Sequence, residues 1–89
     1  GLPYPGGPLI EKLAACVNIV PGQESIYRWQ GKIETSQEVM LLIKTARPRV
    51  KELIKKIKPL HSYSVPEIIA VDIKAGNPDY LKWIDESID

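Results

Sequence analysis

Ser25-Ile26-Tyr27-Arg28-Trp29-Gln30-Gly31-Lys32-Ile33-Glu34, followed by Glu38-Val39-Met40-Leu41-Leu42-Ile43-Lys44-Thr45, is the part of the sequence that decides the fold. Two strand-like segments flank a Gly31-Lys32 turn, and the turn region extends through Glu34-Thr35-Ser36. Val39 to Ile43 is apolar at five consecutive positions. A strand on a sheet with one wet face alternates apolar and polar side chains. This one does not, so both of its faces are expected to be covered. A chain of 89 residues has little material to do this alone. Another copy of the same chain is the natural source of the missing cover.

Working outward, Cys16 to Val20 is strand-like and is punctuated by Pro21-Gly22. Glu24 to Gln30 continues it across a bend or bulge at Pro21-Gly22-Gln23. On the other side of the hairpin, Arg47 to Lys58 is the clearest helix. Val50, Leu53, Ile54 and Ile57 recur at helical spacing and form one apolar stripe, with Pro48 suited to the N-terminal turn. Lys51, Lys55, Lys56 and Lys58 lie off the stripe and read as a solvated face. Pro59 ends the helix, and Leu60 to Ser64 is a loop. Pro66 to Lys74 reads as a strand centred on Ile68, Ile69, Val71 and Ile73. Gly76-Asn77-Pro78-Asp79 is a helix start, with Asn77 as cap, Pro78 at the first position and Asp79 favoured by the dipole. Leu81, Ile84 and Ile88 stripe the helix that follows, which is expected to end near Asp89. Upstream, Leu9 to Ala15 can form a short helical turn opened by Pro8. Residues 1–8 are a Gly/Pro-rich leader, unsuited to regular structure.

Composition narrows the function. Net charge is +1, which gives no nucleic-acid signal. The single cysteine, Cys16, rules out an intrachain disulfide. No apolar run approaches the ~20 residues of a membrane-spanning helix, and the N-terminus lacks the pattern of a signal peptide. A cytoplasmic location is the expectation. No nucleophile–base pair stands out, because Ser25, Ser62 and Ser64 have no motif around them. There is no phosphate-binding glycine loop. Glu34 and Glu38 can approach one another across the hairpin end, but paired carboxylates alone do not imply acid–base work. The chain is not expected to be an enzyme.

Five ordered blocks resemble the CutA family of divalent-cation tolerance proteins. They are Lys12 to Gly22, Ser25 to Glu34, Glu38 to Thr45, Val65 to Ala70 and Gly76 to Trp83. The resemblance implies an α+β, ferredoxin-like antiparallel sheet with helices on one face, occupying residues 9–89 and assembled as a homotrimer through the long hairpin strands. It also implies a role in tolerance or homeostasis of copper and other divalent cations. Animal members have been connected with acetylcholinesterase assembly, so the alternative is a trimeric protein-interaction scaffold without metal chemistry, with protein partners of its own.

Two departures from the family pattern stand out. The usual first strand and most of the first helix have no counterpart here. That strand would sit centrally in the sheet and leave costly unpaired backbone groups if its place were empty. The leader in extended form, a neighbouring chain, or residues missing from an incomplete sequence are the alternatives for filling it. The second departure is His61-Ser62-Tyr63-Ser64-Val65-Pro66, where the family usually has proline after the histidine and an acidic residue after the tyrosine.

His61 is the only histidine, and imidazole suits copper and zinc. It is the candidate metal ligand, for Cu(II) or another divalent cation bound weakly. A purely structural role in its loop is the competing reading. The family ties metal binding to a first-strand cysteine as well, which is absent. Cys16 lies elsewhere and reads as an ordinary core residue. Glu67 offers a carboxylate, yet Cys16, His61 and Glu67 have no metal-motif spacing. Tyr27 and Trp29 are two apart and share a strand face, suited to an intersubunit surface. A pocket between subunits with Lys32, Lys44 or Glu67 as polar contacts is the sharper alternative.

Overall fold

A computed structural model describes residues 4–62 and 65–88. The order of elements is α1 (Gly7–Lys12), β1 (Cys16–Trp29), β2 (Lys32–Lys44), α2 (Arg47–Ile57) with a 3-10 turn at Lys58–Leu60, and α3 (Pro78–Glu86). β1 and β2 form one antiparallel hairpin in register from Cys16↔Lys44 to Trp29↔Lys32. Its turn is Gln30-Gly31, both with positive φ (50° and 79°). Two such residues give the turn whose twist matches the flanking strands, and glycine accepts that conformation without strain. The turn therefore sits one residue earlier than Gly31-Lys32. Glu34 to Ser36 is regular strand, with Tyr27↔Glu34 and Ser25↔Ser36 paired. Glu34 and Glu38 are four apart on that same strand, roughly 13 Å at ~3.4 Å per residue, and do not meet across the hairpin end.

The bulge is where the sequence placed it. Val20 pairs with Met40 and Gln23 with Glu38, so Pro21 and Gly22 together face Val39 alone. Gly22 takes φ +72° there. One extra residue bends the strand and strengthens its twist. Proline is tolerated because a bulge already interrupts the ladder.

α2 starts after a two-residue connection and folds back over the hairpin. Its stripe is as expected, with Leu53 and Ile57 buried and Val50 and Ile54 partly so. Leu53 and Ile57 join Ile10 and Leu13 in the core, and Val17, Ile43, Ile68 and Tyr4 pack against it. The N-terminal segment is tied to the end of β2 by the Ala15 N–H on the Lys44 carbonyl (2.8 Å) and the Thr45 hydroxyl on the Leu13 carbonyl (2.6 Å). α1 differs from the short turn expected over Leu9 to Ala15. It begins at Gly7, and Leu9, Ile10 and Glu11 have φ of 51°, 45° and 49°. It therefore winds left-handed, a conformation that costs L-residues roughly 1–2 kcal/mol each. Complete burial of Ile10 is the compensating gain.

α3 opens as its sequence dictates, with the Asn77 side chain accepting the Asp79 N–H at 3.0 Å and Pro78 in the first turn. Ile84 is its buried anchor. It stops at Glu86, before the expected end near Asp89, which lies outside the described residues.

Pro66 to Lys74 does not form the expected strand. Among the described residues no backbone hydrogen bond joins it to another element. Ile68 packs on the core, while Val71 is 84% exposed. The pattern of apolar residues is right for a strand, but a strand also needs a neighbour, and among the described residues none pairs with it. Ile68 lies with the core near the C-terminal half of α2, and Asp72 pairs with Arg47 at the helix start (2.9 Å). Residues 67–73 therefore run opposite to α2 and in the same sense as β2.

Candidate functional site

The open edge of β2 and residues 67–73 border one groove of about 840 Å³. Val50, Leu53, Ile54 and Ile57 of α2 form its floor, and Leu41 and Ile43 line the β2 side. Glu38 and Glu67 also border it, as do Tyr4 and His61. It is a mainly apolar channel with its ionisable groups around the rim.

His61 follows the 3-10 turn, where the chain leaves α2 after Pro59. It is half-buried, and its Nε2 lies 3.0 Å from the Tyr4 hydroxyl. The two rings also meet edge to face, with centroids 5.4 Å apart and planes at 77°. Burial raises the Tyr4 phenol above its ordinary value of 10.0. A protonated phenol both donates and accepts, so the direction of this bond follows the imidazole tautomer. The predicted metal ligand is already engaged at one of its two ring nitrogens.

The remaining candidate residues do not gather around it. Cys16 is half-buried at the start of β1, not a core residue. Its thiol is 4.0 Å from Asn18 Oδ1, and that oxygen also accepts from Lys44 Nζ. Cys16 lies at a sheet end because its cross-strand neighbour is Lys44, whose polar head cannot be buried with it. Lys32 sits at the far hairpin turn, away from Lys44 and Glu67. Among the described residues no three His, Cys, Asp or Glu side chains converge as a metal-binding group. The described residues therefore give His61 no set of three converging ligands. Ser64 and Tyr63 of the variant loop lie outside the described residues.

The hairpin is the second candidate surface. Its register puts Tyr27 and Trp29 on one face, opposite Glu34 and Lys32. Ile33 and Val39 lie on the other face, where Ile26 joins them across from Thr35. Ile26, Ile33 and Val39 are 66%, 69% and 54% exposed, and Trp29 is 46% exposed. Of the strand read as covered on both faces, Val39, Met40 and Leu42 are 54%, 43% and 46% exposed in the single chain, while Leu41 and Ile43 are half-buried.

Tyr4 is the residue that sequence reasoning missed. The signal was a lone aromatic among glycines and prolines. A side chain of that size in such a leader has a strong tendency to dock on apolar surface.

The sequence of this chain, compared with known proteins, matches the family model described as CutA1 divalent ion tolerance protein over residues 8–87. The chain belongs to this family. It is 53% identical over 77 residues to the divalent-cation tolerance protein CutA of Thermus thermophilus, covering 86% of this chain and 75% of that one. It is 51% identical over 82 residues to the chloroplastic protein CutA 1 of Oryza sativa subsp. japonica, covering 92% of this chain but only 46% of the rice protein. Among solved structures, CutA from Xylella fastidiosa superposes with a TM-score of 0.85 at 48% identity, over 99% of this chain and 90% of the other. The CutA1 fold is α+β and ferredoxin-like, and in this chain the antiparallel hairpin and its helices are the parts of that fold present as regular elements. No described helix is long and apolar enough to cross a membrane.

Proposed function

We propose that this CutA chain acts as a homotrimer in divalent-cation tolerance or homeostasis, binding Cu(II) or another divalent cation weakly at His61. It works in the cytoplasm and has no catalytic role of its own. The rice relative is named chloroplastic and a solved CutA from Archaeoglobus fulgidus is titled periplasmic, so compartment is a property to measure for this chain separately.

The observation that carries the assembly is the uncovered hairpin. Ile26, Ile33 and Val39 are exposed on one face, interspersed with Arg28, Thr35 and Gln37, while Tyr27 and Trp29 are exposed on the other. Apolar side chains bared on both faces of one hairpin are what an association surface covers. Closed cyclic symmetry covers such faces with identical ones. Sedimentation equilibrium is the test: a three-chain mass is expected, and a one-chain mass at micromolar concentration overturns the reading.

The cation is treated as cargo. A single neutral imidazole supplies one ligand, whereas tight sites collect three or four. Calorimetric titration with copper should show weak binding that disappears in His61→Ala. Submicromolar affinity at neutral pH refutes weak binding. The second reading, a trimeric scaffold for other proteins, draws support from the lack of a converged ligand set among the described residues. Copper binding no stronger than that of an unrelated protein with a surface histidine favours it.

A further inference from the structure

We propose that the groove between the open edge of β2 and residues 67–73 accepts one extended strand of another polypeptide, acidic at its first residue, basic at its last and apolar at alternate positions between. The proposal rests on the strand edge and its surroundings, and not on the cation reading of His61.

The backbone of β2 sets the mode of binding. The Ala15 N–H donates to the Lys44 carbonyl (2.8 Å), so that carbonyl points to the β1 side. Backbone groups of successive strand residues point to opposite edges. The N–H and C=O groups of Val39, Leu41 and Ile43 therefore point to the open edge. Among the described residues no backbone hydrogen bond joins them to another element. Such groups seek partners, more so beside an apolar floor. Addition of a strand supplies them: main-chain bonds give affinity, and surface under alternate side chains gives selectivity.

The two walls fix direction and length. β2 and residues 67–73 run in the same sense, so a strand between them that runs the opposite way forms an antiparallel ladder with each. Residues 67–73 span ~23 Å at ~3.3 Å per residue, and a strand of the same length fills the groove from end to end. Val50, Leu53, Ile54 and Ile57 form the floor. Every second side chain of the added strand meets that apolar surface, and the others face outward.

The two ends differ in charge. Glu38 and Glu67 border the groove where both walls begin, and Glu24 lies beside them, across from Gln37. Lys44 borders the opposite end. Glu38 accepts from the Ser36 hydroxyl (3.2 Å), and the Lys44 ammonium lies on Asn18 Oδ1. Both partners are neutral, so these contacts leave the charges in place. Arg47 and Asp72, near the Lys44 end, neutralise each other. A strand opposite in sense to β2 starts at Lys44 and finishes between Glu38 and Glu67. An acidic first residue and a basic last residue then meet opposite charges. Exchanging them puts like charges together at both ends, which selects one charge order over the other.

The test uses the whole chain and three end-capped, fluorescently labelled peptides. The probe is Glu-Val-Thr-Val-Thr-Val-Lys. The second peptide has its end residues exchanged, Lys-Val-Thr-Val-Thr-Val-Glu, at identical composition. The third is the probe with a methyl group on the nitrogen of its central valine, which removes one ladder donor and obstructs the ladder. Fluorescence anisotropy gives the affinities. The probe should bind about tenfold more tightly than the exchanged peptide, a ratio equivalent to ~1.4 kcal/mol summed over both ends. It should also bind about tenfold more tightly than the methylated one. Hydrogen exchange should slow on probe binding at Leu41, Ile43 and residues 67–73. The double variant Glu38→Lys, Glu67→Lys should prefer the exchanged peptide, with circular dichroism confirming its fold; if it does not fold, the peptide comparison on the unaltered chain decides. Absence of probe binding, or equal binding of the three peptides, overturns the proposal. Strong protection of residues 67–73 before any peptide is added means that a second copy of the chain fills the groove, and overturns it too.

Discussion

Ile33→Ala separates the stability of the chain from that of the assembly. Ile33 faces Arg28 across the hairpin and is 69% exposed in the single chain, so the truncation removes little that the monomer buries. In a trimer that covers this face, the exposed part becomes buried. Truncating a fully buried isoleucine to alanine costs ~2–5 kcal/mol. Roughly two thirds of that range, about 1.5–3 kcal/mol per copy, belongs to the surface still available for association. A cyclic trimer carries the change three times, so association weakens by about 4–9 kcal/mol, on the order of 10³ to 10⁶ in the trimer association constant. Because that constant scales as the inverse square of concentration, the midpoint of assembly should move about 30- to 1,000-fold upward. Sedimentation over a dilution series reads the midpoint, and far-ultraviolet circular dichroism at fixed concentration checks that the hairpin persists. A midpoint within threefold of the unaltered protein, with that protein trimeric, would show that Ile33 stays wet in the assembly and that the aliphatic face of the hairpin is not what binds the copies.

Leu53→Ala should lower unfolding stability by ~2–5 kcal/mol in urea, because Leu53 lies in the core formed with Ile10, Leu13 and Ile57. Asn77→Ala should cost ~1 kcal/mol by removing the acceptor for the Asp79 N–H at 3.0 Å, with loss of helical signal at the C-terminal end read by NMR. Arg47→Ala should change the denaturation midpoint little, since an exposed ion pair such as Arg47–Asp72 contributes ~0–1 kcal/mol. Amides of Glu67 to Lys74 should exchange with solvent faster than those of Val39 to Ile43, and equal strong protection would show that the groove is filled by a strand.

Local signals were legible where one segment contains its own cause. The α2 stripe, the Asn77 cap with Pro78 after it, and the Pro21-Gly22 bulge each depend on neighbours a few residues away. The hairpin turn was displaced by one residue because Gln30 carries no obvious turn signal, although Gln30 and Gly31 together take the positive φ values. The site was less legible. His61 stood out as the lone histidine, but its partner is 57 residues away in a leader read for its glycines and prolines. Cys16 was placed in the core on residue type alone. Its cross-strand neighbour Lys44 and its nearby Asn18 hold it at a polar edge.

Pro66 to Lys74 shows why one part of the fold is a property of pairs and not of segments. Its isoleucines and valines fit a pleated strand, yet a strand is stabilised by cross-strand neighbours and ladder bonds. Residues 67–73 run in the same sense as β2, and the groove between them has an apolar floor. The same apolar residues that leave Val71 exposed here would form the outer strand of a continuous antiparallel sheet once a segment running opposite to both walls lay between them. The failure of the strand expectation and the presence of the groove thus have one cause: the residues for an edge strand are in place, and the neighbour they are shaped for is not among the described elements.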